Sequence, residues 1–196
     1  MTTVVLATRN AHKVVELGRI LESTGIELVS GIDLDLPDVE ETGDTFAENA
    51  LLKADATMRA TGLPAVADDS GLVVDALGGE PGVRSARYAG DHGDDEANLR
   101  LVLDNLGTTT QRSGRFVCVA ALVTPDGRQV TEKGIMEGVI ADAPKGDGGF
   151  GYDPIFVAVG EQRTNAELTP GEKDAISHRG SAFRALRPHL AVLASS

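Results

Sequence analysis

Short apolar runs alternate with stretches of helical periodicity along most of this chain, and this limits the fold more than any other feature. "TVVLA" (Thr3 to Ala7) reads as a buried strand. After "TRN" comes a helical pattern from Ala11 to about Ser23, with Val14, Leu17 and Leu21 on one face. "IELVS" is a second strand, and "LPDVEETGD" an acidic loop. Thr45 and Glu48 have capping-box spacing, opening a helix that aligns Ala47, Leu51, Ala54 and Met58 and stops at Gly62. "PAVA" predicts a short strand ending at Asp68, and Asp95 to Leu106 a helix stopped by Gly107. "RFVCVAALV", the turn "TPDG" and "RQVTEKGIMEGVI" predict a hairpin or meander. A glycine-rich loop, "PKGDGGFGYDP", leads into the strand "IFVAV". Thr169, Pro170 and Glu172 predict another capped helix, and "SHRGSAFRAL" a last one opened by Ser177. No repeat or linker interrupts the pattern, so residues 1–196 read as one α/β domain with a mixed sheet.

The charge balance narrows the function classes. A formal net charge of −12 argues against a general nucleic-acid binder or a protein seeking anionic membranes, since both need a basic face. A phosphorylated small molecule stays possible, because salt screens long-range repulsion beyond about 8 Å. Cys118 is the only cysteine, which leaves no internal disulfide or thiolate cluster and suits a core position. "MTTVVLATRN" lacks the apolar run of a signal peptide, and no segment approaches a membrane span, so a cytoplasmic protein is expected.

Four stretches carry chemistry. In "TRNAHK", Thr8 and Asn10 occupy a strand-to-helix turn and Lys13 the first helical turn. Free amides and the helix dipole there suit an anion, unless Asn10 is an ordinary cap and Lys13 is solvated. Glu40 and Glu41 in a loop, with Asp68 and Asp69 at an expected strand end, supply hard oxygens in the number Mg²⁺ takes. The competing readings are a solvated acidic loop and an Asx turn. "GGFGYDP" offers Phe150 and Tyr152 as flat faces in a chain with only 4% aromatics, although a packed turn accounts for it too. "EKDAISHRG" supplies Lys173, His178 and Arg179, while His12, His92 and His189 have no comparable company.

Together these blocks resemble the inosine/xanthosine triphosphate pyrophosphatases, bacterial members above all. The likeness runs from "LATRNAHK" through "EETGDTFAENALLKA", "ADDSGLVVDALGGEPGVRSARYAG" and "GGFGYDPIF" to "ELTPGEKDAISHRGSAF". It implies an elongated, two-lobed homodimer with a Mg²⁺-dependent site in a central cleft. The implied reaction splits non-standard purine nucleoside triphosphates (ITP, dITP, XTP) between the α- and β-phosphates, which keeps deaminated purines out of nucleic acid.

Carried over residue by residue, the first phosphate block becomes Thr8, Arg9, Asn10, Ala11, His12 and Lys13. Ser70 is the nucleotide-contacting serine; Phe150, Gly151, Tyr152 and Asp153 form the aromatic loop. Lys173 is the late lysine, and His178 and Arg179 are the base-reading pair. Asp69 matches the proton acceptor and metal ligand, with Asp68 beside it and either Glu40 or Glu41 as a further ligand. Arg9 and His12 fall at positions where smaller residues also occur in the family. Lys53, one helical turn after Asn49, is added from spacing alone and points to the same cleft or to solvent. Two rivals stand: a pyrophosphatase for modified pyrimidine or thymidine triphosphates, whose opening serine and paired arginines are missing here, and a non-catalytic nucleotide-binding regulator, against which the intact carboxylates argue.

Overall fold

The computed structural model describes residues 2–22, 25–34, 36, 39–90 and 93–194. Ser23, Pro37, Asp38 and His92, which figured in the expectations above, lie outside the described residues. Six strands, β1 (Thr3–Leu6), β2 (Glu27–Ser30), β3 (Ala65–Val74), β4 (Ser113–Val123), β5 (Gln129–Ile140) and β6 (Phe156–Ala158), form one sheet in the order β2-β1-β3-β4-β5-β6. β1 runs parallel to β2 and β3, whereas β5 and β6 are antiparallel, so the sheet is mixed as expected. The parallel neighbours are linked through α1 (Ala11–Leu21) and α2 (Phe46–Thr61), because a parallel return needs a crossover. β4 and β5 join through a turn closed by Thr124 N–H donating to the Arg128 carbonyl at 3.0 Å. The remaining helices are α3 (Asp95–Leu106), α4 (Pro170–Ile176) and α5 (His178–Ala194).

Helix starts follow local chemistry. Thr45 and Glu48 cap α2 reciprocally, and Thr169 and Glu172 do the same for α4. α2 ends at Gly62, whose φ of 69° is the left-handed conformation of a helix stop. Ser177 ends α4 and directly precedes α5. One strand is corrected: β3 does not end at Asp68 but continues through the acid pair to Val74. The acids therefore sit mid-strand with their side chains in the interior, and no Asx turn forms at Asp68–Gly71.

Two compact units divide the chain. In the first (Met1–Asp69, Cys118–Gly134 and Arg179–Ser196), strand alternation sends neighbours to opposite faces. Val66, Cys118, Ala120 and Leu122 share a core with Leu17 and Leu21 of α1 and Phe183 and Leu186 of α5. Ala67, Val119, Ala121 and Val123 pack instead with Ala50 and Ala54 of α2. The second unit (Ser70–Val117 and Ile135–His178) has its own core of Leu72, Val74, Leu99, Val102, Phe116, Ile155 and Phe156. Among the described residues no helix is long and apolar enough to cross a membrane.

Candidate active site

Asp68 and Asp69 extend the alternation of β3, and this decides their partners. Asp68 follows Val66 onto the face covered by α1 and α5; Asp69 follows Ala67 onto the face covered by α2. On the first face, Lys13 Nζ of α1 lies 2.9 Å from Asp68 Oδ2, and Arg179 Nε of α5 lies 3.4 Å from the same oxygen. Arg179 Nη1 also pairs with Glu16 Oε2 at 2.5 Å. Burial alone would raise the Asp68 carboxyl, but Lys13 and then Arg179 hold it well below the usual carboxylate range. Burial likewise opposes the charge on Arg179, yet Asp68 and Glu16 raise its pKa. Burial pushes the Cys118 thiol up, and nearby Asp68 adds to the effect, which leaves it an inert core residue.

On the α2 face, Lys53 Nζ sits 3.1 Å from Asp69 Oδ1 and 2.5 Å from Glu41 Oε1. Asn49 Nδ2, one turn earlier on α2, donates to Asp69 Oδ2 at 3.3 Å. Asp69 is nonetheless shifted upward: burial outweighs the pull of Lys53, and Glu41 adds repulsion. An upward shift makes a carboxylate a better proton acceptor than it is in water. Burial would lower Lys53, but Asp69, Glu41 and Asp68 together raise it, so it stays a cation.

The donor set bears on metal. Two carboxylates, Asp69 and Glu41, meet at Lys53 Nζ, and a set of one or two carboxylates fits Mg²⁺ when water and phosphate oxygens complete its shell. Among the described residues no group of three His, Cys, Asp or Glu side chains is placed to hold a metal ion. Asp68, the other expected ligand, follows Val66 onto the opposite side of the strand, where Lys13 and Arg179 hold it. Glu40 is exposed, whereas Glu41 takes part in the cluster.

At the start of α1, Asn10 is the ordinary helix cap of the competing reading. His12 and Lys13 N–H groups already donate to Asn10 Oδ1, at 2.9 and 3.2 Å, so they are not free for an anion. Asn10 N–H bonds Thr8 Oγ1 at 3.2 Å, and exposed Arg9 donates to the Leu36 carbonyl at 2.5 Å. Ala11 and His12 are exposed, and Lys13 is not solvated but turned onto Asp68.

The second unit gathers another set. Asp153 Oδ2 accepts from Lys173 Nζ at 2.6 Å and from the Phe150 amide at 2.9 Å, while Asn165 Nδ2 donates to its Oδ1 at 3.2 Å. Lys173 Nζ also stands 4.9 Å from the Phe150 ring centroid, a cation–π arrangement. Gly149, at φ +70°, must lack a Cβ because one would run into Asp153. Gly151 N–H is tied to Asp95 at 2.7 Å, and buried Tyr152 donates its hydroxyl to the Ser85 carbonyl at 2.7 Å, so Tyr152 is a packing residue with no open ring face. His178 is buried flat against Phe116, with centroids 4.7 Å apart and planes 9° from parallel. Ser70 continues β3, half-buried.

Sequence reasoning missed Glu16, Asn49, Asn165 and Phe116. A signal existed for two of them: Glu16 and Asn49 are polar residues on the buried stripes of α1 and α2. Nothing local marks Asn165 or Phe116.

The Ham1 family model matches residues 4–189. The chain belongs to the Ham1 family. It is 58% identical to a dITP/XTP pyrophosphatase of Streptomyces coelicolor over 194 residues, covering 96% of both chains. It is 50% identical to one from Geobacter sulfurreducens over 193 residues, with 97% of each covered. Among solved structures, a HAM1 protein from Coxiella burnetii superposes with a TM-score of 0.88 at 45% identity, covering 97% of this chain and 98% of that one.

Proposed function

We propose that this Ham1 chain is a hydrolase that converts dITP, XTP and ITP to the monophosphate and pyrophosphate. The observation that carries the reading is Asp69: a buried, upward-shifted carboxylate held by Lys53 and Asn49 in a chain that matches dITP/XTP pyrophosphatases along nearly its whole length. In the proposed reaction a water oxygen bonds to the α-phosphorus, the bond to the α–β bridging oxygen breaks, and Asp69 takes the water proton. Lys53 keeps Asp69 oriented and adds positive charge beside the leaving pyrophosphate. Mg²⁺ held by Asp69 and Glu41 would supply neutralisation of phosphate charge and a more acidic water.

For the base, we assign stacking to Phe150 and reading of the 6-oxo group to His178, whose ring is fixed against Phe116. Removing Arg179 would also break its pairs with Asp68 and Glu16, so His178→Ala is the cleaner probe of purine preference. In this reading the enzyme is a cytoplasmic homodimer.

Chromatography at an early time point of ITP hydrolysis tests the chemistry. IMP and pyrophosphate as first products are expected, with loss of turnover in EDTA and recovery in Mg²⁺. IDP as the first product would overturn the assignment.

A further inference from the structure

Asn49 is fully buried, at 0% exposure, and nothing in the proposed chemistry uses it directly. Its side chain makes three hydrogen bonds at once. Nδ2 donates to Asp69 Oδ2 and to the Gly43 carbonyl, both at 3.3 Å, while Oδ1 accepts from the Gly43 N–H at 2.8 Å. Only one orientation of the amide satisfies this set. Flipped, it would set oxygen against the Asp69 carboxylate and the Gly43 carbonyl, and NH₂ against an N–H.

The second end of this clamp is equally constrained. A Cβ on Gly43 would come 2.7 Å from Asn49 Oδ1 and 2.6 Å from Glu48 Cβ, so only glycine brings the loop this close. Glu41 lies two residues away on that loop and reaches Lys53. The base of the clamp is tied down as well: the Thr45–Glu48 box caps the start of α2, and Glu48 also accepts from Asp44 N–H at 2.9 Å.

We infer that Asn49 is a positioning residue: it fixes the Asp69 carboxylate and ties it to the loop that carries Glu41. With Lys53 on Oδ1 and Asn49 on Oδ2, Asp69 is held from both oxygens by two residues spaced i, i+4 on one helix. The inference rests on Asp69 being the proton acceptor.

Replacing Asn49 by Asp and by Ala separates positioning from packing. Asn49→Asp keeps an acceptor for Gly43 N–H but sets a carboxylate against Asp69. Asn49→Ala releases both. We expect Asn49→Asp to lower kcat for dITP roughly 10- to 100-fold, and more than Asn49→Ala does, with KM changing much less. Amide exchange at Gly43 should stay slow in Asn49→Asp and become fast in Asn49→Ala. Gly43→Ala should lower kcat in the same direction, and the double variant with Asn49→Ala should be no worse than the poorer single one, since both open the same clamp. Urea unfolding of each variant gives its folded fraction. A larger kcat loss in Asn49→Ala than in Asn49→Asp, or losses that track folded fraction alone, would reduce Asn49 to a packing residue and overturn the inference. Asp69→Asn run alongside separates the two ideas. If it is inactive while Asn49→Asp is normal, only the clamp fails; if it is active, the reading of Asp69 fails and takes the clamp with it.

Discussion

The polar groups of the two units are built differently. In the first unit, Glu16, Glu41, Asp68 and Asp69 interlock with Lys13, Lys53 and Arg179 on both faces of one strand. In the second, Asp153 is met by Lys173, the Asn165 amide and the Phe150 N–H, Lys173 also lies over the Phe150 ring, and the His178 ring is stacked on Phe116. Dense opposite charge in a buried setting can hold a carboxylate in a chosen protonation state and exchange partners with phosphate or cation. Aromatic faces and neutral donors suit a planar, uncharged ring. The difference is one of chemistry: paired opposite charges in the first unit, rings and neutral donors beside one ion pair in the second.

The contrast is sharpest between neighbours. Asp68→Asn removes the charge that holds Lys13 and Arg179 in the interior, and breaking such a pair costs about 3–5 kcal/mol of stability. Urea unfolding should therefore show a large loss in Asp68→Asn. Asp69→Asn should leave the unfolding midpoint near or above wild type, since its carboxyl is already disfavoured by burial. Equal destabilisation by the two would erase the distinction between the faces.

Activity reverses the order of the pair's roles. Asp69→Asn should lower kcat roughly 100-fold or more at saturating Mg²⁺, the scale of lost general-base assistance. Hydrolysis of ITP within a few-fold of wild type would remove Asp69 from the chemistry.

A smaller effect is expected in the second unit. Phe150→Ala should weaken KM for ITP, XTP, GTP and ATP alike, about 10-fold, because stacking contributes about 1–3 kcal/mol per base and every purine has a flat face. A loss confined to ITP and XTP would make Phe150 a reader of the base edge instead.

The smallest effect concerns Glu172, exposed beside Arg163, where hydrogen bonds from Arg163 and then Thr169 lower its pKa to about 2 from the ordinary 4.5. A depressed folded-state pKa stabilises above pH 4.5 and loses that contribution as pH falls toward 2. Glu172→Gln should thus unfold slightly earlier than wild type at pH 7, with the two curves converging near pH 2. A gap that persists in acid would trace the effect to packing and not to charge.

Much of this molecule was legible from residue order. The boxes at Thr45–Glu48 and Thr169–Glu172, the stop at Gly62 and the turn at Thr124–Gly127 are hydrogen-bonded within a few residues, so local spacing determined them. The adjacent acids announced a site because two buried charges side by side need compensation. What order could not determine was which charge compensates which acid. That required β3 to run on to Val74, so that alternation splits Asp68 from Asp69, and required α1 and α5 to cover one face and α2 the other. Arg179 lies 111 residues from Asp68 and 163 from Glu16. In a buried environment the energy of a charge depends on its nearest neighbours in space, and only the tertiary structure chose Lys13 and Arg179 for one aspartate and Lys53 and Asn49 for the other.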